Sequence, residues 1–556
     1  MRHRKKLVLL SMFLMNLIDQ PAPEVVLEQG KLVGKISTDG SFFEYIGIPY
    51  ATSDITTRFK APGPAPSWKG VYKAIGDKGM TVCIQPGLFN VIIGIEDCLM
   101  ANVYVPAMTS RPLPVMVFIH GGAFLFGSGG KFLYGPEFFM RKEVILVTFN
   151  YRLGALGFTC LGIKEAPGNA GLKDQRAALR WVKKNIAAFG GDPDNITLFG
   201  ESAGATSTAI LNISNSTEGL FNRVIIQSGT SISNWAINRN PVWRASLVAK
   251  ALGFDAEDPY DLYKIFSEAN VNDLISVPPG KPVELFFDTE LLHLPCIESI
   301  IPGEEPIITD LPFNILSKKV KDIPMIMGSN TKEGMFLTTF ETDESLSPRN
   351  SRYLVASDLR FKTEEEGMEV SQTIREFYFD NEPLSTKNIK NVTKFYTHLF
   401  FEIPAMQETE LLLNQNESPV FNYLFNYSGG RNFVKQRTIF SNEEGACHGD
   451  DLFYMFNSLL LPFRITEKDW NVMEQFTNMW TNFAKYGDPT PKNSHVPIRW
   501  EPSSKTEGLK FLYIDEESKM GPMPDKKAYD LWKGIYQKYR KLNVSLPSIE
   551  INNEKK

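Results

Sequence analysis

A serine stands between two glycines in Gly200-Glu201-Ser202-Ala203-Gly204, a G-x-S-x-G pattern that follows the strand-like residues 195–198 and precedes the helix-compatible residues 205–211. A chain that turns from strand to helix over so few residues needs positions without a Cβ, and the turn would lift the Ser202 hydroxyl above the sheet as a nucleophile. Upstream, the apolar residues 114–119 end abruptly in His120-Gly121-Gly122-Ala123-Phe124. Backbone with so little side chain can aim N–H groups at a substrate carbonyl oxygen, and each such donor is worth about 3 kcal/mol of transition-state stabilisation. His120 is expected to orient this loop rather than to move protons.

An acyl-transfer serine needs a base to take its proton and an acid to hold that base. When a serine elbow follows a loop of this kind, both partners lie downstream in the order acid, then histidine. His293, His398, His448 and His495 are available there. His448 sits in Gly445-Ala446-Cys447-His448-Gly449-Asp450-Asp451, a turn of small residues that can present an imidazole at the rim of a sheet, whereas the other three lack flanking glycines. Many carboxylates lie between Ser202 and His448. Glu333 is set apart by following the apolar residues 323–327 and the turn 328–332, just past the end of a buried strand. Asp450 and Asp451 are the alternatives, although a residue two or three positions away seldom reaches the ring edge.

Together these segments resemble the type-B carboxylesterases, the family of cholinesterases and of insect and vertebrate carboxylesterases. The resemblance runs from about residue 26 to about residue 538 and includes Tyr45-Ile46-Gly47-Ile48-Pro49-Tyr50, Glu96-Asp97-Cys98-Leu99, Asn150-Tyr151-Arg152, Gly168-Asn169-Ala170-Gly171, Gly190-Gly191-Asp192-Pro193 and Gln227-Ser228-Gly229. It implies an α/β-hydrolase fold with a large, mostly parallel sheet and helical excursions over a gorge. It implies Ser202, Glu333 and His448 as the catalytic triad and the N–H groups of Gly122, Ala123 and Ala203 as the oxyanion hole. Arg58 with Glu96, and Arg152 with Asp174, match structural ion pairs, and Ser228 matches a residue behind the triad. Trp235 falls at an acyl-pocket position, and Phe124 is expected to bind substrate beside it. Cys83 and Cys98 match a family disulfide, while Cys160, Cys296 and Cys447 have no evident mates. Cys447 is read as a small buried thiol.

Within the family, choline esters are disfavoured because residues 84–97 contain no tryptophan to bind a quaternary ammonium. Glu201, where juvenile hormone esterases usually carry Gln, argues against the hormone branch. The turn around His448, with Phe149-Asn150-Tyr151-Arg152-Leu153-Gly154, is most similar to insect carboxylesterases acting on xenobiotics or odorants. The alternatives are a hormone hydrolase and a non-catalytic adhesion protein of the same family. The expected partners are a small-molecule ester and water, with no metal or organic cofactor.

The elements that must position these residues are legible as apolar runs. Residues 144–149 and 224–226 read as buried parallel strands, and residues 174–188 as a helix with Ala178, Leu179, Trp181, Val182 and Ile186 facing inward. Residues 351–441 are more charged and less periodic, which points to helical excursions. The 556 residues, 43% of them hydrophobic and 22% charged, suffice for a sizeable core, and a net charge of −5 without a basic cluster in the body does not point to nucleic acid. We expect one hydrolase domain over residues 23–545, a signal peptide and leader over 1–22, and a polar tail over 546–556. Basic residues before the twelve mostly apolar residues 7–18 have the form of a signal peptide, and the run is too short to span a membrane. Asn215, Asn391, Asn416, Asn426 and Asn543 are glycosylation candidates, and Asn195 and Asn212 also head sequons.

Overall fold

The computed structural model describes residues 20–542, except 77–80, 88–90, 109–110, 278–291, 319, 351–353, 460 and 462–464. The expected signal-peptide run, the polar tail and Asn543 lie outside the described residues.

The apolar runs form the middle of one sheet. Its strands are β1 (Pro21–Leu27), β2 (Gly30–Ile36), β3 (Phe42–Pro49), β4 (Met100–Pro106), β5 (Leu113–Ile119), β6 (Ile145–Phe149), β7 (Gly191–Glu201), β8 (Arg223–Gln227), β9 (Met325–Asn330), β10 (Val420–Phe425), β11 (Lys510–Ile514) and β12 (Lys519–Pro522). They lie in the order β1-β2-β3-β4-β6-β5-β7-β8-β9-β10-β11-β12, with the short strand Val71–Lys73 paired beside β2. From β6 to β11 every pairing is parallel, while the flanks are antiparallel apart from the short strand beside β2. β1 takes in Pro21 and Ala22, so the sheet extends past the expected boundary at residue 23.

A parallel strand covered on both faces sends alternate side chains to two cores. Val115, Val117 and Ile119 of β5 enter one, with Leu172, Leu179 and Val182 of helix α1 (Ala170–Asn185). Met116 and Phe118 enter the other, with Met473, Phe476 and Trp480 of a second long helix, Glu467–Tyr486. This explains the unbroken apolar runs in the sequence. α1 begins four residues earlier than expected, because Gly168 (φ 110°) and Asn169 (φ 55°) turn the chain through the left-handed region into the helix.

The excursion between β9 and β10 contains Glu364–Phe379, Ile389–Thr397, a π-helical turn His398–Glu402 and the helix Ile403–Gln415. It also ends in a central strand, β10, which the reading of residues 351–441 as helical had not separated. No helix among the described residues is long and apolar enough to cross a membrane.

Candidate active site

The carboxyl ends of neighbouring parallel strands are where an open α/β sheet gathers its loops, and the chemically interesting residues collect there. β7 runs into Ser202, whose backbone adopts φ 57° and ψ −123°, and helix α2 (Ala203–Ile213) starts at the next residue. The two glycines of the pattern are required by packing. A Cβ on Gly204 would overlap the Ile119 carbonyl oxygen, and one on Gly200 would overlap Gly204 itself. The Ser202 N–H donates to the Gln227 carbonyl at 2.9 Å, pinning the turn to the end of β8.

His448 Nε2 lies 2.8 Å from Ser202 Oγ, and its Nδ1 lies 2.6 Å from Glu333 Oε2. The other Glu333 oxygen accepts from Ser228 Oγ at 2.5 Å and from the Asn330 N–H at 2.6 Å. Strand β8 thus bridges the serine on β7 and the carboxylate after β9. Glu201, the residue before the serine, approaches His448 Nε2 at 3.4 Å, and its Oε1 is buried without a hydrogen-bond partner. Burial pushes the Glu201 carboxyl up to about 8. Burial pulls the His448 imidazole down, but the Glu201 and Glu333 carboxylates outweigh it, so the net shift is upward.

The loop after β5 passes through positive φ at Gly122 (110°), Ala123 (54°) and Phe124 (62°), a costly backbone for the latter two. A Cβ on Gly122 would overlap the Phe126 carbonyl, so that position admits only glycine. Among the described residues, the N–H groups of Gly122, Ala123 and Ala203 donate to no protein acceptor. His120 is fully buried, pairs with the Gly121 carbonyl at 2.8 Å and stacks on Tyr151 at 4.4 Å. Burial lowers its imidazole to about 4, which suits an orienting role.

Trp235 is buried, and its indole N–H donates to the Phe400 carbonyl at 3.0 Å. The adjacent Phe401 lies 4.7 Å from the His448 ring and 6.0 Å from Trp235, tilted against both, and Phe336 lies 6.0 Å from His448. Sequence reasoning missed Phe401. The only signal was the aromatic pair Phe400-Phe401, and its placement depends on the π-helical turn, which has no simple sequence period. Phe124 packs edge-on against Phe158 within the main core rather than against His448.

Asp450 and Asp451 are engaged by donors other than the imidazole. Asp450 accepts backbone N–H groups from Cys447, Val434 and Lys435, and Asp451 accepts from Gln227, Asn330 and Tyr423. His398 is engaged elsewhere, 2.8 Å from the Tyr378 hydroxyl. The ion pairs Arg58–Glu96 and Arg152–Asp174 both form at 2.6 Å. Cys83–Cys98 is bonded, and Cys447 is a free buried thiol. The reading of Cys160 and Cys296 as unmated is corrected: they form a second disulfide, 136 residues apart in sequence and so invisible to local spacing. It is locked by Asn169, which donates to the Cys296 carbonyl and accepts from its N–H, and by the buried pair Lys173–Glu298 at 2.7 Å. Of the sequons, Asn215 and Asn391 are exposed. Asn212 is buried, and the amides of Asn416 and Asn426 donate to the Lys321 carbonyl and to Asp515.

A large, mostly parallel sheet with a serine elbow, a histidine and a carboxylate at its carboxyl edge defines an α/β-hydrolase. The chain belongs to the Carboxylesterase family, whose match covers residues 21–532, and it is a serine carboxylic ester hydrolase. It is 34% identical to the bile salt-activated lipase of Mus musculus over 86% of this chain and 82% of that protein. It is 31% identical to esterase FE4 of Myzus persicae, over 88% of each chain. The solved structure of juvenile hormone esterase from Manduca sexta, with OTFP covalently attached, superposes with a TM-score of 0.81 at 30% identity, over 93% of this chain and all of that one.

Proposed function

We propose that the protein hydrolyses small to medium apolar esters by acyl transfer through Ser202, His448 and Glu333. The carrying observation is the unbroken path from Ser202 Oγ through both nitrogens of His448 to Glu333. Ser202 Oγ forms a bond to the ester carbonyl carbon as its proton passes to His448 Nε2, and the carbonyl electron pair moves onto oxygen. The N–H groups of Gly122, Ala123 and Ala203 receive that oxyanion. The carbon–oxygen bond to the alcohol then breaks, and the alcohol leaves with the proton from His448. Water repeats the sequence on the acyl-enzyme and releases the acid. Glu333 accepts the Nδ1–H throughout, fixing the tautomer and stabilising the imidazolium.

Trp235 and Phe401 wall the acyl side in this reading, which favours compact acyl groups over long ones. The likeness to juvenile hormone esterase makes a hormone-type methyl ester the second substrate to try. Two disulfides persist in an oxidising compartment, which supports a secretory route with Asn215 and Asn391 as its accessible glycan acceptors. The decisive experiment is Ser202→Ala on 4-nitrophenyl acetate. Turnover is expected to vanish, and wild-type turnover would refute the assignment of the nucleophile.

A further inference from the structure

We propose that Lys435, together with Asp450, is a positioning residue for His448: the two side chains clasp the turn that carries the imidazole. This rests on the assignment of His448 as the base. Lys435 is 2% exposed, and its ammonium donates to the Glu443 carbonyl at 2.9 Å, to the Gly445 carbonyl at 2.7 Å and to the Ser428 hydroxyl. Asp450 is fully buried. One of its oxygens accepts the Cys447 N–H at 2.8 Å and the Asn432 amide at 3.1 Å, and the other accepts the N–H groups of Val434 at 2.9 Å and Lys435 at 3.2 Å.

The two side chains therefore tie the turn to residues 428–435. Lys435 holds the Glu443 and Gly445 carbonyls, while Asp450 accepts the Cys447 N–H immediately before His448 and also accepts from Asn432, Val434 and Lys435. Burying an ammonium is expensive unless every proton finds an acceptor, and here all three do. Burial accordingly pulls the Lys435 amine below its usual range, with Asp450 opposing, and drives the Asp450 carboxyl up to about 7. A neutral side chain could fill the same volume at lower cost. What only an ammonium supplies is three donors on one atom, which is what a turn presenting carbonyls requires. The imidazole must meet Ser202 and Glu333 at 2.8 Å and 2.6 Å at once, so a small drift of its turn breaks one contact or the other.

The test uses the full-length enzyme, with the concentration of folded protein taken from absorbance and the far-ultraviolet circular dichroism signal. Lys435→Met should lower kcat per folded enzyme by about 10- to 100-fold, the scale of a misplaced catalytic group, and leave KM for 4-nitrophenyl acetate within about twofold. The same substitution in a His448→Ala background should change the residual turnover by less than about twofold, because its effect passes through the imidazole. Unchanged kcat per folded enzyme, with only a lower melting temperature, would overturn the proposal, as would an equal loss in the His448→Ala background. If Lys435→Met is not recovered folded, Asp450→Asn is read by the same criteria and decides. His448→Ala retaining wild-type turnover would instead sink the assignment of the base.

Discussion

Replacing Glu333 by Gln alters one atom, and the surroundings dictate which end of the side chain that atom occupies. Oε1 faces two donors, Ser228 Oγ at 2.5 Å and the Asn330 N–H at 2.6 Å, and the second is a backbone group at the end of β9 that cannot turn. The amide oxygen must take that side, since an NH₂ there would point at a fixed donor. The NH₂ then faces His448 Nδ1, which can accept it only by giving up its own proton. That places the ring proton on Nε2, against Ser202 Oγ, where the base needs a lone pair. Loss of the correct tautomer at such a site costs about 10⁴ in kcat, or about 5 kcal/mol of barrier. Glu333→Gln should show this loss on 4-nitrophenyl acetate with a melting temperature within a few degrees of wild type and an unchanged far-ultraviolet spectrum. A loss below about tenfold in a folded variant would refute the reasoning and move the acid elsewhere.

Trp235→Leu should raise the kcat/KM ratio of a branched acyl ester to an acetate by about 10- to 200-fold, the reach of about 1–3 kcal/mol of pocket discrimination. An unchanged ratio with lower stability would make the indole core alone. Converting Cys160 and Cys296 to Ala should lower the denaturation midpoint, since a loop of 136 residues is worth about 5 kcal/mol on the chain-entropy estimate. A loss below about 1 kcal/mol would show that Asn169 and the Lys173–Glu298 pair hold that junction without it. In the proposed mechanism His448 acts in its neutral form, so turnover falls as pH drops through its pKa. Carboxylates raise that pKa, so the acid limb of kcat/KM should lie above the imidazole's ordinary value of about 6.5, and Glu201→Gln should move it down. A limb that stays in place would show that Glu201 contributes no charge.

The parts of the site that depend on short-range geometry were legible in the sequence. Gly200 and Gly204 are dictated by carbonyls they would otherwise strike, and Gly122 by Phe126, so the chain advertises these turns in its composition. Central strands such as β5 are apolar throughout because both faces are covered, and they could be read for the same reason. Long-range pairings that the family resemblance did not supply were not legible. Nothing near Cys160 points to Cys296, and Phe401 reaches His448 only because a π-helical turn rotates it there. Strand β10 escaped notice because Val420–Phe425 is short, follows a long helical stretch and lacks the alternation of a half-buried strand.

The sheet order has a consequence for the life of the chain before it is an enzyme. The serine belongs to β7, but the histidine enters only after β10, which sits between β9 and β11 and is completed by Lys510–Ile514. A chain made from its amino end therefore contains the residues of the elbow for hundreds of residues before it contains the histidine proposed as the base. At about 5–20 residues per second that interval lasts on the order of tens of seconds. During it Ser202 has no His448 to pair with, so the proposed triad is complete only when nearly the whole body has been made.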